Sequence, residues 1–364
     1  MKIIVSAGGT GGHIYPALSI IEKFKEKEKD LEVIYIGTHN RMEKDIVPKY
    51  NIKYEQLEIY GFSKSNIKRD IKNVFLLKKA YNKCLRIMKS FKPDVVIGVG
   101  GYVTFPVIKA AHKLGIKTFI HEQNSIPGKS NILLSKSADL VGVSFENSKK
   151  YFAGANKVVY TGNPCGDRAL KAKSLKPKEL GFNSHDKLVI VVAGSLGSRT
   201  LNDRFKEFLH LCKNVKFQVL YVTGEKYYDE FIKKEKFPSN VKVVPYMDNL
   251  VGLMKNADLL VTRSGAGIIT ESLALNLPSI FIPSPYVAYN HQYYNALELK
   301  NNNVAYMLEE KDFNSKVLIA LINNILYDKE KYFEIKNNIS KLNVVNSSDI
   351  IYKEIKDLVR WLIN

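Results

Sequence analysis

Residues 2–13 read Lys2-Ile3-Ile4-Val5-Ser6-Ala7-Gly8-Gly9-Thr10-Gly11-Gly12-His13. The apolar, β-branched run predicts a buried strand, and the glycines after it predict a turn whose backbone N–H groups approach a ligand closely. Apolar residues at helical spacing follow, so the turn feeds a helix whose partly positive N-terminus suits phosphate or another anion. Two common phosphate fingerprints do not fit. Gly9-x-Gly11-x-x reaches Ile14 where glycine or alanine is needed, and no Gly-Lys-Ser/Thr closes a Walker loop. The turn ends on His13, whose imidazole suits proton transfer near neutral pH. Ligands of such sheets bind at the carboxyl ends of the strands, which is where His13 falls.

The same pattern repeats along the chain. Strand-like runs recur at 2–7, 32–37, 94–99, 116–121, 139–143 and 157–161, then at 187–193, 216–223, 241–245, 258–263, 278–283 and 304–308. Short buried strands alternating with helices predict parallel sheets covered on both faces. A Lys-rich, weakly apolar seam at 164–186 separates the two series. The second opens as the first did, with Val189-Ile190-Val191-Val192-Ala193 running into Gly194-Ser195-Leu196-Gly197-Ser198. A chain of 364 residues exceeds what one core supports. The expected domains are 1–163 and 164–343, with a C-terminal helix at about 344–364 docking back on the first domain. That segment alternates apolar and charged residues at helical spacing and contains Trp361.

Composition excludes several classes. The three cysteines, Cys84, Cys165 and Cys212, show neither CxxC nor zinc spacing, so no disulfide framework is expected. No secretory signal is expected either, because glycines interrupt the first apolar run. The longest stretch without Asp, Glu, Lys or Arg, Ser272 to Leu297, contains prolines and amides that disqualify it as a membrane span. The net charge of +19 is unevenly spread: Phe62 to Lys92 holds ten basic residues and one acidic residue. A solvated basic face explains part of this. Yet Phe75, Leu76 and Leu77 cover adjacent helix directions among the cations, which an interfacial surface wants. Lys68, Arg69, Lys72, Phe75 and Lys79 are the candidate contacts to an anionic membrane. Nucleic acid is not expected, since RNA binding adds stacking aromatics that are sparse here.

Other strand ends carry polar groups. Gly98-Val99-Gly100-Gly101-Tyr102 and His121-Glu122-Gln123-Asn124 follow two strands of the first series. His121 and Glu122 read either as satisfied strand-end groups or as members of a site. In the second series, Arg263-Ser264-Gly265-Ala266-Gly267 leads into Thr270-Glu271, a phosphate-suited helix start with a carboxylate placed to accept hydrogen bonds from ribose. A Pro-rich loop at 283–285 then precedes Asn290-His291-Gln292-Tyr293.

Taken in order, these runs, with Arg41-Met42-Glu43, Lys92-Pro93-Asp94-Val95-Val96 and Gly162-Asn163-Pro164, resemble the family of cytoplasmic N-acetylglucosaminyltransferases of bacterial peptidoglycan synthesis. The resemblance implies an α/β, GT-B fold: two Rossmann-like, doubly wound domains facing across a cleft. It also implies inverting transfer of GlcNAc from UDP-GlcNAc to the MurNAc 4-hydroxyl of undecaprenyl-linked lipid I, giving lipid II. By this likeness Ser195 lies near the diphosphate, Met247 meets uracil through its backbone, Glu271 takes the ribose hydroxyls and Gln292 the sugar hydroxyls. Thr10, Gly11, Gly12 and Asn124 complete donor binding, and His13, Tyr102 and Glu122 face the acceptor. His13 is the leading base; alternatively it binds the acceptor diphosphate while Glu122 or a water moves the proton. The implied location is peripheral, on the cytoplasmic face of the cell membrane, with cell-wall synthesis proteins as partners. No Asp-x-Asp is present, so amides and helix ends are expected to carry the leaving diphosphate without a metal or other cofactor. Two departures stand out: Gly166 occupies a position where the family usually has arginine, with Arg168 two residues on, and Leu196 stands where glutamine is common. A UDP-GlcNAc 2-epimerase-like enzyme and a non-catalytic nucleotide-sugar-binding membrane scaffold are the competing readings.

Overall fold

Lys2–Ser6 (β1) pairs in parallel with Glu32–Thr38 (β2) on one side and Val95–Gly98 (β4) on the other. The computed structural model describes residues 1–61, 67–194, 197–233, 235–342 and 346–360, and the side chains of 67–71 also fall outside the described set. Adding Lys53–Leu57 (β3), Lys117–Glu122 (β5), Leu140–Val143 (β6) and Val158–Tyr160 (β7) gives a parallel sheet of order β3-β2-β1-β4-β5-β6-β7. The chain divides into two units, Met1–Cys165 with the C-terminal segment from Val345, and Gly166–Val344.

The second unit contains Leu188–Val192 (β8), Gln218–Val222 (β9), Val241–Val244 (β10), Leu259–Thr262 (β11), Ser279–Phe281 (β12) and Tyr306–Met307 (β13). Its order, β10-β9-β8-β11-β12-β13, repeats that of the first sheet. Each unit is therefore Rossmann-like, and two such units compose the GT-B fold. Strand order reverses beside β1 in one unit and beside β8 in the other, so each glycine turn read from the sequence sits at a topological switch point.

Burial follows the period-2 geometry of a doubly covered sheet. Ile4, Ile34, Val96 and Ile120 pack to one face of the first sheet, beneath helices Ile67–Phe91 and Thr104–Lys113. Ile3, Val5, Val95 and Ile97 pack to the other, against helix Gly11–Lys27. Among the described residues, β3 is the strand not anticipated. Its sequence, Lys-Tyr-Glu-Gln-Leu, lacks an apolar run because it lies at the sheet edge, where one side pairs with β2 and the other is exposed.

The C-terminal helix Ser347–Arg360 docks on the first unit beside Gly11–Lys27. Ile351 and Ile355 are fully buried there, and Tyr352 packs edge-on against Phe24 with its hydroxyl donating to Glu28 at 2.7 Å. Ion pairs Lys23–Asp349 (3.0 Å) and Lys356–Glu28 (2.7 Å) flank the apolar contact. Trp361 lies outside the described residues. Because the helix completes one face of the first core, Ile355→Ala is expected to cost that unit about 2–5 kcal/mol. Urea unfolding of the whole chain tests this, and an unchanged midpoint would show that the helix is peripheral.

Candidate active site

In the first unit the loops after β1, β4 and β5 meet at one sheet edge. The Gly8 N–H donates to the Gly100 carbonyl at 3.2 Å, joining the turn after β1 to the turn after β4. The Gly9 N–H donates to Glu43 Oε2 at 3.1 Å. Two of the turn's amides are thus spent inside the protein, contrary to a turn whose N–H groups all face a ligand. The amides of Gly11 and Gly12 begin helix Gly11–Lys27 and have no partner one turn earlier. Thr10 occupies the N-cap with no side-chain capping bond, and no acidic residue fills the first turn, so this helix end suits an anion.

His13 is half-buried, and its Nδ1 lies 3.0 Å from the Gly8 carbonyl. A carbonyl only accepts, so Nδ1 carries a proton, and in the neutral ring the lone pair is then on Nε2. The ring lies against Gly100, which has φ of 104°; a Cβ there would come within 2.5 Å of the imidazole. Tyr102 packs against Gly61, and its enclosed hydroxyl has no hydrogen-bond partner among the described residues.

The polar run after β5 turns inward. His121 is fully buried: Nε2–H donates to the Gly162 carbonyl at 2.9 Å while Nδ1 accepts from Gln123 at 2.9 Å. Burial lowers its pKa to about 4, with the Gly162 carbonyl opposing, so it stays neutral as a brace between β5 and the chain after β7. Glu122 is equally committed. Oε1 accepts from the Asn124 N–H (2.9 Å) and Nδ2 (3.2 Å), and Oε2 from the Gly128 N–H (3.1 Å) and Asn131 Nδ2 (2.9 Å). Four donors fill this carboxylate, an arrangement that holds the loop bearing Asn124 and leaves little room for proton exchange.

The second unit carries the other expected residues. Ser195 and Leu196 lie outside the described residues. Beyond them Ser198 caps helix Arg199–Leu211 and also accepts from Arg263 Nη2 at 3.1 Å. Arg263 is 7% exposed; its Nη1 donates to the carbonyls of Ile282 and Pro283, and it pairs with Glu310 at 2.6 Å. It is therefore a brace across three loops. Glu310 was not singled out in the sequence, and nothing local to it signals the pairing. Ser264 spends its hydroxyl on the Gln292 carbonyl (2.8 Å), so Gly265 at the bare N-cap of helix Ala266–Ala274 offers backbone only.

Gln292 accepts from the Ser284 N–H through Oε1 at 2.9 Å, which aims its amide NH₂ away as a donor. Met247 is half-buried against the second core. Glu271 retains partial solvent access but is crowded by protein, and desolvation raises its pKa to about 7 while the Arg168 charge opposes. Arg168 thus acts electrostatically on Glu271, whatever the loss of arginine at Gly166 removes. On the first unit's helix Ile67–Phe91, Leu76, Ala80, Cys84 and Met88 are buried. Lys72, Lys78 and Lys79 face out with Val74 (56% exposed) and Phe75 (72%). The side chains of Lys68 and Arg69 lie outside the described residues.

Comparison with known proteins matches residues 3–143 to the glycosyltransferase family 28 N-terminal domain and residues 188–350 to its C-terminal domain. The chain is 41% identical over 98% of its length, and 99% of the relative's, to the Bacillus licheniformis UDP-N-acetylglucosamine--N-acetylmuramyl-(pentapeptide) pyrophosphoryl-undecaprenol N-acetylglucosamine transferase. A Bacillus cereus protein of the same name is 40% identical over 99% of this chain and all of its own. The crystal structure of Acinetobacter baumannii MurG superposes with a TM-score of 0.77 at 28% identity, covering 98% of this chain and 99% of that one. The UDP-GlcNAc 2-epimerase of Neisseria meningitidis reaches 0.69 at 16% identity, covering 98% and 100%, a likeness of fold.

The His121 brace has a consequence for stability. Its folded pKa lies below its unfolded value, so below pH 6.5 the unfolded chain binds a proton that the native chain refuses. Its contribution is fully present above pH 6.5 and falls away toward pH 4, by about 3 kcal/mol in total. His121→Asn lacks this titration. Unfolding free energies between pH 7 and pH 5 should therefore fall more steeply for the wild type than for the variant, and parallel curves would refute a buried neutral imidazole.

Proposed function

Because the chain belongs to glycosyltransferase family 28, we propose that it transfers N-acetylglucosamine from UDP-N-acetylglucosamine to the 4-hydroxyl of the N-acetylmuramyl unit of lipid I, giving lipid II. The observation that carries this reading is 41% identity, over 98% of this chain, to a transferase whose name states the sugar and the polyprenyl-linked acceptor. Geometry supports a division of labour. In the first unit, His13 Nε2 takes the acceptor proton while Gly8 fixes the ring through Nδ1. Glu122 serves by holding the loop of Asn124. The open end of helix Gly11–Lys27 and Tyr102 are the further groups for polar parts of substrate.

In the second unit, Glu271 accepts from the ribose hydroxyls, the Gln292 amide donates to the sugar, and Met247 offers backbone to uracil. The backbone at Gly197 and Ser198, ahead of helix Arg199–Leu211, and the bare start of helix Ala266–Ala274 stabilise the departing diphosphate through amide dipoles. The step is a single displacement at the anomeric carbon: the acceptor oxygen bonds to it as the bond to UDP breaks, and configuration inverts.

The exposed Val74 and Phe75 among Lys72, Lys78 and Lys79 support peripheral attachment to an anionic membrane at its cytoplasmic face. Ile132 and Leu133 are exposed on the same unit. Among the described residues no helix is long and apolar enough to cross a membrane. Lys83 takes no part, since it pairs with Glu55 at 3.1 Å.

Purified protein should release UDP from UDP-GlcNAc only when a lipid-linked acceptor is present. His13→Ala should then lower kcat by about 10²–10⁴ with UDP affinity nearly unchanged. Epimerisation without acceptor would replace the reading by the epimerase one, and binding without turnover by a sensor. For the membrane face, each cation contributes about 1 kcal/mol. A Lys72→Glu, Lys79→Glu, Phe75→Ser variant should lose sedimentation with anionic vesicles while still turning over a short-chain soluble acceptor. Equal sedimentation of variant and wild type would move the membrane surface elsewhere.

A further inference from the structure

Glu43 is fully buried and forms no ion pair among the described residues. A carboxylate in that state is costly unless donors fill its lone pairs. Three do: Thr38 N–H at 3.0 Å and Thr38 Oγ1 at 2.6 Å to Oε1, and Gly9 N–H at 3.1 Å to Oε2. Thr38 is the last residue of β2 and Gly9 belongs to the turn after β1, so one side chain ties two neighbouring strand ends together. Its surroundings are cut to fit. A Cβ on Gly8 would lie 2.6 Å from Glu43 Oε1, and one on Gly37 would lie 2.7 Å from Glu43 Cγ. Tyr54 closes the cage by donating to the Thr38 carbonyl at 2.5 Å, and Tyr35 by donating to the Ala7 carbonyl at 3.1 Å.

We propose that Glu43 is a positioning residue for His13. The connection is short: Glu43 holds Gly9, the adjacent Gly8 carbonyl accepts from His13 Nδ1, and Nε2 is thereby aimed. The proposal rests on the transferase reading for its kinetic consequence, but not for its structural one. A neutral amide cannot replace the carboxylate. Put in place of Oε1, the NH₂ of a glutamine would face both Thr38 donors. Put in place of Oε2, it would oppose the Gly9 N–H, the smaller conflict. Either way one backbone donor loses its acceptor, and the second orientation frees the turn.

The test compares wild type with Glu43→Gln by amide hydrogen exchange and by steady-state kinetics. Exchange of the Gly8 and Gly9 amides should accelerate about tenfold or more in the variant, while the buried stretch of helix Ile67–Phe91 is unaffected. With lipid-linked acceptor, kcat should fall about tenfold to a hundredfold while the KM for UDP-GlcNAc stays within a few-fold, as expected when a reacting group is misplaced. Wild-type exchange in the turn, or faster exchange with wild-type kcat, overturns the proposal. If the wild type itself shows no acceptor-dependent UDP release, the transferase reading fails while the exchange comparison still decides whether Glu43 holds the turn. Should Glu43→Gln not fold, Thr38→Val removes one donor isosterically. The same two effects at smaller size support the positioning role, and their absence overturns it.

Discussion

Irregular loops at the carboxyl edge of a parallel sheet must be held by side chains, because no strand neighbour pairs their backbone. Here a few buried charged groups do that, some bound within their own loop and others across loops distant in sequence. Glu43 holds the turn after β1, Glu122 the loop after β5, and the Arg263–Glu310 pair the ends of β11 and β12 together with the cap of helix Arg199–Leu211. A charge removed from water is stable only while its partners stay in place, so each such group makes its loops move together or not at all. The reacting groups proposed here depend on these anchors: His13 is aimed through Gly8, and Gln292 through Ser284.

The two units apply one scheme to different ends. In both, the strand order reverses beside the first strand of the series, and a glycine-bearing turn there opens a long helix. The first unit adds an imidazole with a free nitrogen, an outward apolar pair and a row of lysines. The second adds a carboxylate near neutrality, an oriented amide and a bare helix start. The charge excess of the sequence is explained in part by structure, since Lys83 and Lys23 are engaged in ion pairs while Lys72, Lys78 and Lys79 face solvent.

Much of this was legible in the sequence. Buried parallel strands announce themselves as apolar β-branched runs, and both sheets were readable apart from β3, whose edge position lets polar residues alternate through it. The C-terminal segment alternates apolar and charged residues at helical spacing, and in the structure its helix buries Ile351 and Ile355. What escaped was the direction in which polar groups point. His121, Glu122, Ser264 and Arg263 stand at strand ends where a ligand was expected, yet all are spent on the protein. Local pattern gives a residue's place on a strand; it does not give the partner that arrives from another loop, as Glu43 and Gly9 show across 34 residues.

The proposed chemistry is a single displacement at the anomeric carbon, in which a base takes the acceptor proton as the bond to UDP breaks. The anomeric configuration of the new glycosidic bond tests this most directly. Proton NMR of the product formed from α-linked UDP-GlcNAc and lipid-linked acceptor should show a β-linked N-acetylglucosamine, with the large H1–H2 coupling of a trans-diaxial pair. An α-linked product would contradict this, because it retains the donor configuration, which a single in-line displacement cannot do.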